Sequence, residues 1–219
     1  MTPGIIILGV FVVVGVIITL VVRNEKQRTE ALENVATELS LSFNKKHDDR
    51  LLVAMQRFKL FNQGHGRKMK NVMQADTEIA RLSIFDYQYT TGGGQHSQTH
   101  TQTVVAMESN DLALPNFRLR PEGFFDRVGS ALGFQDIDFE GDKAFSDAYV
   151  LAGDNEEAIR SFLTPELRKT IVEHEKCCIE SDRGVFIFYR VGRIKPEKLR
   201  DLMNEGFGIY TAFREACDA

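Results

Sequence analysis

One stretch constrains everything else. From Ile5 to Val22 the chain reads IIILGVFVVVGVIITLVV, eighteen residues without a charge. As a helix at 1.5 Å per residue this run spans about 27 Å, close to the hydrocarbon thickness of a bilayer. It is expected to be a single-pass transmembrane helix. A cleaved signal peptide is disfavoured. Met1 to Gly4 carry no Lys or Arg, the apolar run is long, and it ends in Val21-Val22-Arg23 with no small-residue cleavage pattern. Gly9 and Gly15 are six apart, so the G-x-x-x-G close-packing motif is missing and the span reads as a tether.

Charge gives the tether a direction. Arg23, Lys26 and Arg28 follow the run and no basic residue precedes it. The positive-inside rule then puts the N-terminus out and the remaining chain in the cytoplasm, at the cell inner membrane. Residues 1–100 hold 12 Lys+Arg against 9 Asp+Glu, and residues 101–219 hold 15 against 22. The basic part lies next to the lipid, and the acidic distal half excludes a nucleic-acid binder. Three cysteines, Cys177, Cys178 and Cys217, form no disulfide framework, which suits a reducing compartment.

The expected organisation is a transmembrane anchor over 1–22, a juxtamembrane helical stalk over 23–40 and one cytoplasmic α+β domain over 41–219, with an antiparallel sheet packed by helices. In the stalk, Leu32, Val35, Ala36 and Leu39 recur at helical spacing, a face suited to rest on the domain. Residues 41–43 alternate as a short strand, and residues 50–61 read as an amphipathic helix that could pass into a strand near Phe58. The polar NQGHGRKMK over 62–70 reads as a turn with clustered base. Leu82, Ile84, Phe85, Tyr87 and Tyr89 have strand periodicity, and Thr90-Thr91-Gly92-Gly93-Gly94-Gln95 connects them to a Thr- and Val-rich return strand. Pro115 and Pro121 bracket a short edge segment. Residues 122–132 suggest a helix and residues 137–139 a strand. Asp154 with Glu157 reads as a capping box, and Thr164-Pro165 restarts the helix. Residues 177–181 and 185–191 are strands around Asp182-Arg183-Gly184, the second a buried central one. Cys177 and Cys178 should point to opposite faces, one thiol buried and one exposed. Lys195-Pro196 opens a last helix, in which Gly206 and Gly208 mark close packing or a kink.

Several motifs carry the resemblance of this chain to a known group: Ile84-Phe85-Asp86-Tyr87-x-Tyr89, Gln102-Thr103-Val104, and Leu114-Pro115-x-Phe117-x-Leu119-x-Pro121-Glu122. Ile137-Asp138-Phe139 with Phe145-Ser146, and Leu163-Thr164-Pro165-Glu166, complete the set. Over residues 58–190 the chain resembles an uncharacterised bacterial family of membrane-anchored α/β proteins, classed as a domain of unknown function. The resemblance implies an N-terminal anchor and one α/β domain. It implies no activity and brings no catalytic residues.

The residues themselves offer weak chemistry. Asp136, Asp138, Glu140 and Asp142 alternate, and in an extended chain would face one way, as an oxygen-ligand site for a divalent cation needs. The EF-hand pattern is missing, and solvated acids flanking an inward Ile137 and Phe139 explain the spacing equally. His96 and His100 on one strand would lie about 13 Å apart, too far for one metal. Asp86, Tyr87, Tyr89, Arg118 and Arg120 are candidates for a polar groove near the hairpin, against simple cross-strand pairing. Arg67, Lys68 and Lys70 are candidates for lipid-headgroup contact, against a solvated turn. No catalytic residue is identified, and neither a cofactor nor a metal is expected.

The expected function is a binding or scaffold module at the inner membrane face. Its partners would be the lipid bilayer through residues 5–22 and a membrane protein, with self-association through residues 23–39 not indicated. The alternative is a membrane-tethered metal-assisted hydrolase using the acidic stretch 136–142.

Overall fold

A computed structural model describes the backbone of residues 3–123 and 136–218, with side chains at all of these except residues 3–15 and Ile17. The expected helix over 122–132 therefore lies almost wholly outside the described residues. So do most side chains of the apolar run 5–22. Among the described residues, no helix is long and apolar enough to cross a membrane.

The fold is α+β, built on an eight-stranded sheet whose neighbouring strands all pair antiparallel. The chain opens with α1 (Pro3–Glu38), followed by β1 (Ser42–Asn44), α2 (Asp49–Met55) and a 3-10 turn (Lys59–Asn62). Next come β2 (His65–Asp76), β3 (Arg81–Thr91), β4 (Gln98–Glu108) and β5 (Leu114–Pro121). Then follow α3 (Lys143–Ala148), β6 (Tyr149–Gly153), α4 (Glu156–Phe162), α5 (Pro165–Glu173), β7 (Cys177–Arg183), β8 (Val185–Arg190) and α6 (Leu199–Asp218). The order across the sheet is β1-β2-β3-β4-β8-β7-β5-β6.

Period-two alternation sends side chains to two separate cores. Along β8, Phe186 and Phe188 enter the first, while Val185, Ile187 and Tyr189 enter the second. The first core is covered by α6, with α3, α4, α5 and the end of α1 beside it, through Phe145, Ile159, Ile171, Leu202, Phe213, Leu32 and Ala36. The second is covered by the short 49–62 segment, through Leu52, Met55, Phe58, Leu60 and Phe61.

Several expectations are corrected by this packing. The stretch expected as a basic turn carries the first half of a strand: β2 begins at His65, and Arg67 and Lys70 are only half-buried beside the buried Met69. Its pattern was hidden because Asn71 sits at φ 52 and the register with β3 slips between Lys70 and Met73. The cap of α4 is Asn155, which accepts the Ala158 N–H, while Asp154 accepts from Asn116 instead. Residues 136–139 form no strand, although the Ile137 N–H donates to the Leu151 carbonyl along the edge of β6. Both Cys177 and Cys178 are buried, on opposite faces, because β7 is interior to the sheet and covered on both sides there. Thr164 caps α5 with Pro165 in its first turn, as its sequence suggests. Gly206 marks close packing, not a break: a Cβ there would meet the Phe188 ring at 3.1 Å, and α6 runs on uninterrupted.

Candidate functional site: a charged groove on the open part of the sheet

The 49–62 segment is too short to cover the whole second face. It lies over the middle strands and stops. One row of paired residues shows where: Ala106 on β4, Ile187 on β8, Glu180 on β7, Arg118 on β5 and Ala152 on β6. The row is apolar under the cover and becomes charged where the cover ends. Beyond that line lies a groove of about 530 Å³, floored by Arg118, Arg120, Val150, Ala152, Glu180 and Ser181. Arg57, Phe58, Lys59 and Asn62 form one wall, Asn116, Gly153 and Asp154 the other, with Glu122 and Asp136 at its end. The size and the mixed apolar and polar lining are those of a small-ligand or peptide-segment site.

Glu180 is the root of this groove. It is 3% exposed, and its carboxylate accepts from the Lys59 N–H at 2.6 Å, the Leu60 N–H at 3.2 Å and the Tyr189 hydroxyl at 3.1 Å. The Arg118 guanidinium lies 3.9 Å away. Burial pushes the Glu180 carboxyl above the ordinary carboxylate range, against the opposing pull of Arg118 and the three donors. The Tyr189 hydroxyl is raised well above its usual value by the same burial and by the Glu180 charge. Glu180 thus fastens the 3-10 turn to the sheet and sets the edge of the groove. At the far end, Asp136 accepts the Leu151 N–H at 3.0 Å, and burial raises its carboxyl too.

The residues expected to form one polar groove do not come together: the pleat turns Asp86 to the other face, and β4, β8 and β7 with the 49–62 cover lie between Tyr87 and Tyr89 and the two arginines. Arg118 and Arg120 lie together on the groove floor. Tyr87 is buried in the second core under Phe61, ring centroids 4.7 Å apart, and Tyr89 stacks on Tyr87 at 5.5 Å and on His100 at 4.9 Å. Asp86 faces the other way. It holds Arg28 of α1 through two bonds of 2.8 and 2.7 Å and also accepts from Thr103 and Asn71. Arg28 further donates to the Ile194 carbonyl at 2.7 Å, and Glu25 pairs with Arg193 at 2.5 Å. Asp86 is therefore the clamp that fixes α1 across the sheet.

The lipid candidates divide similarly. Arg67 spends its guanidinium on the carbonyls of Asn62, Gln63 and Gly64. Lys68 and Lys70 stand near Glu25 and Arg193, where α1 leaves the body.

The acidic stretch lines a shallow cavity with Arg160 and Arg168 and does not gather as a metal site among the described residues. Asp142 caps α3 and pairs with Arg168 at 2.8 Å, which holds its carboxyl below the usual carboxylate range. Arg160 bonds the Asp138 carbonyl oxygen, and both guanidinium groups lie over the Phe139 ring, at 5.1 and 4.0 Å. Arginines supply the positive charge here. Among the described residues, no three His, Cys, Asp or Glu side chains are grouped to hold a metal ion. His96 lies in the 3-10 turn of the hairpin and His100 bonds Thr91.

Glu180, Lys59 and Tyr189 escaped sequence reasoning. A signal existed: within Cys177-Cys178-Ile179-Glu180, Glu180 shares the face of Cys178, so a charge points where an apolar residue is expected.

Comparison with known proteins adds one fold relative. No family model and no curated protein matches the sequence. Among solved structures, the crystal structure of the mycobacterial trehalose monomycolate transport factor A, TtfA, shares this fold. It superposes with a TM-score of 0.60 at 13% identity, over 86% of this chain and 93% of that one. At that identity the likeness is one of fold.

Proposed function

We propose that the protein is a non-enzymatic binding or scaffold module, held at the inner membrane face by residues 5–22 as a single-pass anchor, with its N-terminus outside and its domain in the cytoplasm. The observation that carries this reading is the groove over β5, β6 and β7. It is a part of the sheet that the 49–62 cover does not reach, roomy, charged, and without a nucleophile–base pair or a metal cluster among its described residues. The unbroken α1, uncharged from Ile5 to Val22 and clamped to the sheet at Arg28, supports the tether. The shared fold with a transport factor is compatible with an adaptor that serves a membrane transport machine.

The test is photocrosslinking from the groove floor in native membranes, with the reactive side chain at Val150 or Ala152. One specific adduct, lost when Arg120 is replaced by Glu, is the expected result. No adduct from either position would remove the groove from the reading. Turnover of a substrate by the purified protein, abolished by mutating Asp138 or Glu140, would instead establish the hydrolase.

A further inference from the structure

The β3–β4 hairpin closes at the end of the sheet toward which α1 runs, flanked by β2 as far as the His65–Thr90 pair. Thr29 bonds Asn71 of β2 at 3.1 Å, and one helical turn earlier Glu25 lies beside Lys68, Gln88 and Arg193. Moving N-terminally along α1 is therefore moving toward the start of β2 and the end of β3. From Asp86, level with Arg28, strand β3 continues five residues to Thr91, about 17 Å at the rise of a strand. The same distance along a helix is about eleven residues. An oblique crossing shortens it by a few, so the hairpin end is level with residues 16–22 of α1. There Val16, Ile18, Leu20, Val21 and Val22 are all exposed.

The hairpin is stiff and unusual in composition. Tyr87, Tyr89 and His100 stack in a ladder, and Thr91 bonds His100 at 2.8 Å. Residues 88–101 contain no Asp, Glu, Lys or Arg, although 26% of the chain is charged and that share would put about four there. Instead they offer Thr, Gln, Ser, His and Tyr, and eight successive residues, 92–99, are exposed. Charge is costly at the edge of a bilayer, whereas hydroxyls, amides and amphipathic rings are at home there.

We infer that the end of the β3–β4 hairpin, residues 88–101, lies at the boundary between headgroups and acyl chains of the bilayer that holds α1, giving the domain a second contact with the membrane and one fixed orientation on it. The inference rests on the anchor reading above. Its test reads depth directly. Single nitroxide labels are placed at Gly93, Ser97, Val16 and Glu78 by substitution to Cys in the full chain carrying Cys217→Ser, reconstituted into phosphatidylethanolamine–phosphatidylglycerol vesicles. Gly93 has extended backbone and open space around it, and Glu78 marks the opposite end of β3. The expected result is protection of positions 16, 93 and 97 from a water-soluble nickel chelate, with a severalfold loss of collisions relative to position 78. Protection at 16 with positions 93 and 97 as accessible as 78 overturns the hairpin contact and leaves the anchor standing. Full accessibility at 16 overturns the anchor, and the hairpin contact with it.

Discussion

Two buried carboxylates hold this molecule together, and each fastens a cover to the sheet. Asp86 clamps α1 through Arg28, and Glu180 clamps the 3-10 turn through two backbone N–H groups. Removing one member of such a buried set leaves desolvated partners behind, which outweighs the attraction lost. Glu180→Ala strands the Lys59 and Leu60 N–H groups and the Tyr189 hydroxyl, so it should cost about 3–5 kcal/mol. Urea unfolding would measure it; a cost within 1 kcal/mol, about the size of a surface substitution, would refute the clamp. Neither acid was legible as a clamp in the sequence. Asp86 sits in a strand pattern that looks merely alternating, and its partner is 58 residues away. The buried Cys177 thiol, raised to about 11 by burial, is unreactive for the same reason of enclosure.

Secondary elements divide by how locally they are encoded. The cap of α5 is specified by two adjacent residues, Thr164 and Pro165, and the hairpin by the Gly92–Gly94 run between alternating segments. Strand β2 is not local, since its bulge breaks the period and its half-buried basic residues mask the buried face. Helix α3 gives a pH-dependent prediction. Arg168 lowers the pKa of Asp142 in the folded protein below its ordinary 3.8, so the ionised form is favoured by folding. That stabilisation is fully present above 3.8 and is lost as pH falls through the lowered value. Asp142→Asn should therefore destabilise at pH 7 and by less at pH 3. Thermal melts of both proteins at the two pH values would check it, and an equal difference at both would contradict the pairing.

At the scale of the whole molecule, the two halves of α1 differ. Its N-terminal half carries the uncharged run. Its C-terminal half buries Leu32 and Ala36 in the first core and locks Arg28 and Glu25 to the body. A chain beginning at Arg23 should fold as a soluble monomer, because residues 16 and 18–24 are exposed and Glu25 is the first described side chain of α1 that is part-buried. A chain beginning at Leu41 should lose that cover, leave Asp86 without its guanidinium, and aggregate or melt well below the longer one. Size-exclusion chromatography and thermal unfolding distinguish them; equal stability would show that α1 is a passive stalk.

The sequence by itself determined the α+β class, the antiparallel hairpin, the buried central strand and the long uncharged run, because each is a local pattern of period or composition. Tertiary structure alone decided the site. The groove exists because a fourteen-residue cover, 49–62, ends above β7, and because β5, β6 and β7 come together from segments whose paired residues lie up to 69 positions apart. Long-range register, not local spacing, set Glu180 beside Arg118 and turned Asp86 away from them. It also reached back to the opening feature: the run from Ile5 to Val22 is a property of sequence, but its alignment with the β3–β4 hairpin follows from one buried arginine–aspartate pair.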